Sequence, residues 1–259
     1  MNNSLNIDAM TETAKITSFI KTVLKQQGFR NVVIGLSGGI DSAVSLSLVR
    51  KAVEPKNIFV VHLFYFNSQI NSLATFLKKE GIPQKNIYNI SIKNTVDKIK
   101  TSIGLTKSSE NYNVRLGNIM ARIRMIYLYD LAKKHQALVC GTENKSELYL
   151  GYFTRFGDEA SDFEPIQHLY KTQVYQLAGY LNIPEKIIKQ TPTAGLWTGQ
   201  TDENDFGFSY KEADMVLELY LNNKKTFSKN IFKDFPNAER IIDRINKNAF
   251  KHHLPYTLR

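Results

Sequence analysis

With 259 residues, 42% of them hydrophobic, and a formal charge of +10 (34 Lys and Arg against 24 Asp and Glu), the chain reads as one α/β core with long functional loops. A lone cysteine, Cys140, excludes a disulfide framework, a CxxC redox pair or a cysteine zinc site within one chain, and no stretch approaches the roughly 20 apolar residues needed to span a bilayer. The charge suits an anionic partner, yet no block of five or six consecutive basic residues marks a nucleic-acid arm, and a solvated Lys-rich surface accounts for it somewhat better.

The N-terminus, MNNSLNIDAMTETAKITSFI, has no basic segment ahead of an apolar core, so a signal peptide is not expected and the protein reads as cytoplasmic. Apolar positions Ile16, Phe19, Ile20, Val23 and Leu24 give residues 12–27 a helical period. NVVIGL (31–36) is a short β-branched run, as expected of a strand buried on both faces, and a helical stretch opens at Asp41-Ser42. IFVVHLFYF (58–66) predicts a second strand and 70–80 a helix. NIYNISI (86–92) and ALVCG (137–141) supply further strands, with a long helix over 114–134 between them. This alternation predicts a doubly wound parallel sheet with helices on both faces. Residues 104–113 and 191–209 read as loops, and helices are expected at 170–181, 210–223 and 236–247. Basic residues are densest from Arg240 through Lys251, His252 and His253 to Arg259.

The most informative segment is GLSGGIDS (35–42). A strand ends, two glycines let the backbone turn, and a helix begins, so that backbone N–H groups face one point, as in a phosphate cradle. A bare Gly-Gly turn would be unremarkable; the added Ser37, Asp41 and Ser42 point to a ligand. The segment lacks both the GxxxxGK[ST] loop and the GxGxxG fingerprint. Glu147 lies just past another strand end, where open α/β sheets bind ligands. With Asp41 at a neighbouring strand end it makes a credible oxygen pair for Mg²⁺, although a lone Glu is more often a solvated acid. Arg122 and Arg124, two apart on a helix, point to different faces, so one can bind substrate while the other makes a structural contact. Asp158 in the FGD turn also fits a simple turn former, and Cys140 in an apolar strand reads as core. The 191–209 loop, with Gly195, Gly199 and Trp197, suits a hinged flap over a water-sensitive intermediate; a loose surface loop is the bland alternative.

SGGIDS resembles the pyrophosphate loop of the N-type ATP pyrophosphatases. NVRLGNIMARIRM (113–125), CGTENKSELYLGYFTRFGD (140–158), PIQHLYKTQVYQLA (165–178) and PTAGLWTGQTDENDFGFSY (192–210), in that order, resemble the NAD synthetase family from about residue 12 to 255. The resemblance implies a Rossmann-like, adenine nucleotide α-hydrolase-like fold and one synthetase domain over 1–259. It implies a carbon–nitrogen ligase that adenylates deamido-NAD with ATP and then amidates it with ammonia, releasing AMP and pyrophosphate. By the same resemblance, Gly35, Leu36, Ser37, Gly38, Gly39, Ile40, Asp41, Ser42, Thr142, Lys171 and Thr193 would bind ATP, and Asp41 and Glu147 would hold Mg²⁺. Arg122, Arg155, Asp162 and Lys251 would bind the dinucleotide, and Asp41, Lys171 and Asp158 would serve catalysis, Asp158 near the ammonia entrance.

A homodimer is implied as well, with α-helical residues such as Ile126 and Tyr129 as candidate contacts. No glutaminase segment is expected, so nitrogen would come from free ammonia or a separate glutaminase. The chain departs from the family pattern at 66–76, which lacks the usual acids, and at Glu164, where Asn is commoner. At the C-terminus, the family's His-Lys pattern followed by Pro is here Phe250, Lys251 and Pro255, so only Lys251 carries over. The competing substrates are nicotinate mononucleotide and RNA, and a non-catalytic nucleotide sensor is the competing class.

Overall fold

A computed structural model describes residues 5–223, 228–252, 256 and 258; His253, Pro255 and Arg259 lie outside the described residues. Four short apolar runs form β1 (Asn31–Gly35), β2 (Ile58–Phe64), β3 (Ile87–Ser91) and β4 (Ala137–Cys140). They pair in the order β3-β2-β1-β4, all parallel, with Val32 beside Ile58, Val60 beside Ile87 and Ile34 beside Cys140.

Alternation along each strand sorts side chains onto two faces. Val32, Ile34, Val60 and Leu138 pack with α1 (Ala9–Gln27), α2 (Ile40–Ala52), α3 (Ile70–Lys79) and α7 (Lys171–Tyr180). Val33, Val61, Leu63 and Val139 pack instead with α4 (Lys93–Ser102) and α5 (Tyr112–His135). The sheet is therefore doubly wound, as the sequence alternation predicts. A third apolar cluster joins α6 (Lys145–Leu150), α10 (Tyr210–Asn222) and α11 (Ala238–Asn248), with Phe206 and Phe208 at its centre.

Four helices have no counterpart in the sequence reading: α4, α6, α8 (Glu185–Ile188) and α9 (Asp202–Phe206). α4 buries Val96 and little else, so it carries almost no apolar period, and the other three span only one to two turns. α9 subdivides the long 191–209 loop, capped by the Thr201 hydroxyl and stopped by Gly207. Cys140 is buried in the first core, as its apolar strand predicts. Among the described residues no helix is long and apolar enough to cross a membrane.

Candidate active site

β1 and β4 lie side by side, but the chain reaches β2 on one flank of β1 and returns to the other flank for β4. The strand order reverses there, which opens a crevice outside the carboxyl ends of the two strands. β1 delivers the SGGIDS loop to that crevice and β4 delivers Thr142 through Glu147.

Gly38 adopts φ 97°, a left-handed conformation that glycine adopts without strain, and a Cβ there would sit 3.2 Å from Gln69 Oε1. Gly39 then caps α2 without a side-chain partner, leaving the first-turn N–H groups facing the crevice. The hydroxyls of Ser37 and Ser42 lie 3.1 Å apart, and Gly39 N donates to Ser37 Oγ at 3.2 Å, so the loop is braced from within. His62, buried in β2, braces it from below. Its Nε2 accepts from Gln69 N at 3.1 Å, which leaves Nδ1 to donate to Leu36 O at 2.8 Å.

Asp41 and Glu147 converge on one cation. Lys171 Nζ lies 2.5 Å from Asp41 Oδ2 and 3.1 Å from Glu147 Oε1, and the lysine is 2% exposed. Asn144 holds both carboxylates: its Nδ2 donates to Asp41 Oδ1 at 2.9 Å, and its side chain and backbone form a capping box with Glu147. Burial opposes the charge on Lys171, but Asp41 and Glu147 outweigh it and raise its pKa. Burial likewise raises Glu147, to about 8, against the pull of Lys171. Asp202 joins this group from α9. Tyr210 donates to its Oδ2 at 2.9 Å, while Oδ1 is buried without a partner. Burial raises the pKa of Asp202, and Lys171 opposes the rise. Three carboxylates thus face one ammonium, an excess of negative charge suited to a further cation.

Among the described residues no group of three or more His, Cys, Asp and Glu forms a ready-made metal cage.

The group opens into a cavity of about 1060 Å³ lined by Ser37, Gly39, Ile40, Asp41, Ser42, Thr142, Glu147, Asp158, Lys171, Thr193 and Lys251 among others. The 191–209 segment roofs it. Leu196 packs against α5 so closely that a Cβ on Gly117 would lie 2.7 Å from it, and Gln200 Nε2 donates to Tyr152 Oη at 3.1 Å and to Asp205 Oδ2 at 2.9 Å. Trp197 and Leu196 both line the cavity half-buried, and Leu196 also packs against the second apolar cluster.

The remaining sequence candidates lie outside this group. Gly35, Leu36 and Gly38 do not line the cavity; they shape the turn beneath it, with Leu36 in the core. Arg122 is exposed and donates to Arg155 O at 3.3 Å, whereas Arg124 lines the cavity and donates to Leu63 O at 3.2 Å. Arg155 stacks 5.0 Å from the Phe250 ring, and Asp162 Oδ2 accepts from Val139 N at 2.7 Å. Lys251 reaches the cavity wall and donates to Gly151 O at 2.5 Å and Phe153 O at 3.0 Å. Asp158 lines the cavity as an exposed residue, and it accepts from Thr154 N at 2.9 Å. The residues missed by sequence reasoning are Asn144, His62 and Asp202, and of the arginine pair named there it is Arg124 that lines the cavity. Asn144 alone carried a local signal, the N-x-x-E spacing to Glu147.

A phosphate-cradling turn and a carboxylate–lysine cluster at the switch point of a parallel sheet define a nucleotide-binding enzyme of the open α/β class. The family model for NAD synthase matches residues 12–255, and the chain belongs to that family. It is 39% identical over 255 residues to the NH₃-dependent NAD⁺ synthetase of Thermoplasma acidophilum, covering 97% of this chain and 99% of that protein. Two solved structures are similar at 32% identity, each covering 98% of this chain and 100% of the other. They are the NMN synthetase of Francisella tularensis, with a TM-score of 0.81, and the NH₃-dependent NAD synthetase of Campylobacter jejuni, with a TM-score of 0.77.

Proposed function

We propose that this chain is an ammonia-dependent NAD synthetase, a ligase that converts deamido-NAD to NAD through an acyl-adenylate. The observation that carries the reading is the convergence of Asp41 and Glu147, from adjacent strand ends, on Lys171 beside the open N-terminus of α2. The nicotinate carboxylate attacks the α-phosphorus of ATP and pyrophosphate leaves. Ammonia then attacks the acyl carbon, and AMP departs. Positioning and charge stabilisation supply most of the first step.

In this reading Gly35, Leu36 and Gly38 shape the turn, the backbone from Gly39 to Ser42 with the Ser37 and Ser42 hydroxyls holds the departing pyrophosphate, and Thr142 and Thr193 position the nucleotide. Lys171 releases the carboxylates when nucleotide arrives and places its charge on the phosphates. Asp41 and Glu147 are the residues that would hold Mg²⁺, which when bound neutralises phosphate charge as a Lewis acid. Arg122, Arg155, Asp162 and Lys251 bind the dinucleotide. Asp158, facing the cavity, is suited by its position to take a proton from the incoming ammonium. The lid keeps water from the adenylate. The working form is a homodimer, and the nitrogen is free ammonia or the product of a separate glutaminase.

The test is product analysis with Mg·ATP, ammonium and either deamido-NAD or nicotinate mononucleotide. NAD formed in step with AMP and pyrophosphate, faster than the mononucleotide is amidated, supports the reading. Faster turnover of the mononucleotide would make the chain an NMN synthetase, as the Francisella tularensis relative is named. Amidation of neither overturns the reading.

A further inference from the structure

Lys171 and Glu147 meet although they lie in the first turns of two different helices, α7 and α6. Something must hold the two helix starts in register. Asp214, on α10 and fully buried, lies where both helices begin. Its Oδ2 accepts from Thr172 N at 2.8 Å, and its Oδ1 accepts from Ser146 Oγ at 2.5 Å. The same Ser146 hydroxyl accepts from Lys171 N at 2.9 Å. One carboxylate therefore satisfies a first-turn N–H of α7 directly and another through a serine on the first turn of α6. Such N–H groups have no partner within their own helix, and a negative charge is favoured there by the helix dipole. Ser146 immediately precedes Glu147, and Thr172 immediately follows Lys171. Four residues further along α10, Glu218 accepts from Tyr170 Oη at 2.9 Å, so α10 grips the start of α7 at two points.

We infer that Asp214 is a positioning residue for nucleotide and metal binding, setting the Lys171–Glu147 separation through the Ser146 hydroxyl and the α7 N-terminus. The inference rests on the functional reading above for what Lys171 and Glu147 bind. A carboxylate has only acceptors, and this site needs two acceptors. In Asp214→Asn one of the two positions becomes an N–H₂ donor facing either Thr172 N–H or the Ser146 hydroxyl. If it faces Ser146, the hydroxyl can no longer donate to residue 214 while accepting from Lys171 N. Ser146→Ala breaks the same relay and leaves Asp214 in place.

The experiment measures KM for Mg·ATP, half-saturating Mg²⁺ and KM for deamido-NAD in Asp214→Asn, Ser146→Ala and the double variant. Thermal melts report the folded fraction, and calorimetric titration with Mg·ATP gives a readout independent of turnover. Both single variants should weaken Mg·ATP and Mg²⁺ binding about tenfold, as loss of a charged hydrogen bond does, and leave KM for deamido-NAD within about twofold. The double variant should be no worse than Asp214→Asn, because both act on one relay. Should Asp214→Asn fail to fold, Ser146→Ala carries the test alone. Losses that track only the folded fraction, with binding constants unchanged, overturn the inference, as does additivity in the double variant. If the wild type amidates neither nucleotide, the functional reading fails, and Mg·ATP titration still decides whether Asp214 sets this site.

Discussion

Lys171 Nζ lies 2.5 Å from Asp41 Oδ2 across 130 residues of sequence, and the ammonium stands where the strand-end carboxylates would otherwise face each other. The lysine is a built-in counter-cation for a pair of acids that, in the proposed function, bind a metal-loaded triphosphate.

Replacing Lys171 with Met leaves that pair without its cation. Removing one partner of a buried ion pair costs about 3–5 kcal/mol, and in a chain of this size each kcal/mol lowers Tm by roughly 2–4 °C. The variant should therefore melt about 6–20 °C below the parent without Mg²⁺. Added Mg²⁺ should recover part of the loss, and do so more than it raises the parent Tm. A melt insensitive to Mg²⁺ would show that the carboxylates do not form a cation site.

Glu164 gives a pH signature. Burial raises its carboxyl from 4.5 to about 8, against hydrogen bonds from the Ser161 hydroxyl and Glu143 N. The folded state then holds its proton more tightly than the unfolded chain, so the contribution of this group is complete below about 4.5 and is lost as pH rises towards 8. The slope for one group is at most about 1.4 kcal/mol per pH unit. Glu164→Gln should flatten the fall in stability between pH 5 and 8, measured by urea unfolding at several pH values. An unchanged slope would place the Glu164 carboxylate in contact with solvent.

The lid is clasped through Tyr152, whose hydroxyl donates to Asp205 Oδ2 at 2.7 Å and accepts from Gln200. Tyr152→Phe removes the clasp and leaves the ring packed on Phe206. Losing about 1 kcal/mol of closure opens the lid roughly fivefold more often. The expected outcome is uncoupling, with AMP released in excess of NAD while Tm changes by only a few degrees. A one-to-one ratio would mean that the clasp does not keep water out.

The fold was legible because each strand is a short β-branched run and the helices facing it repeat at helical spacing. Asp41 and Glu147 were legible because each closely follows a strand end, and strand ends of a parallel sheet share one crevice. His62, Asp202 and Asp214 were not legible, because their roles depend on what folding brings beside them. His62 reads as one more strand residue until Leu36 O and Gln69 N lie against its two nitrogens. Asp202 reads as a loop acid until Tyr210 turns it inward, and Asp214 reads as an ordinary helix acid until two helix starts meet it. Of the two arginines on α5 the sequence favoured Arg122, but the helix turns Arg124 towards the cavity. The short helices α8 and α9 are held by their caps and neighbours and have no apolar period to read.

The most direct test of the Asp41–Glu147–Lys171 centre is ATP–pyrophosphate exchange measured without ammonium. Exchange that requires deamido-NAD, and that Asp41→Ala abolishes while the protein remains folded, is the predicted result. Exchange that proceeds without the dinucleotide, or survives in the Asp41 variant, would contradict adenylation at this centre.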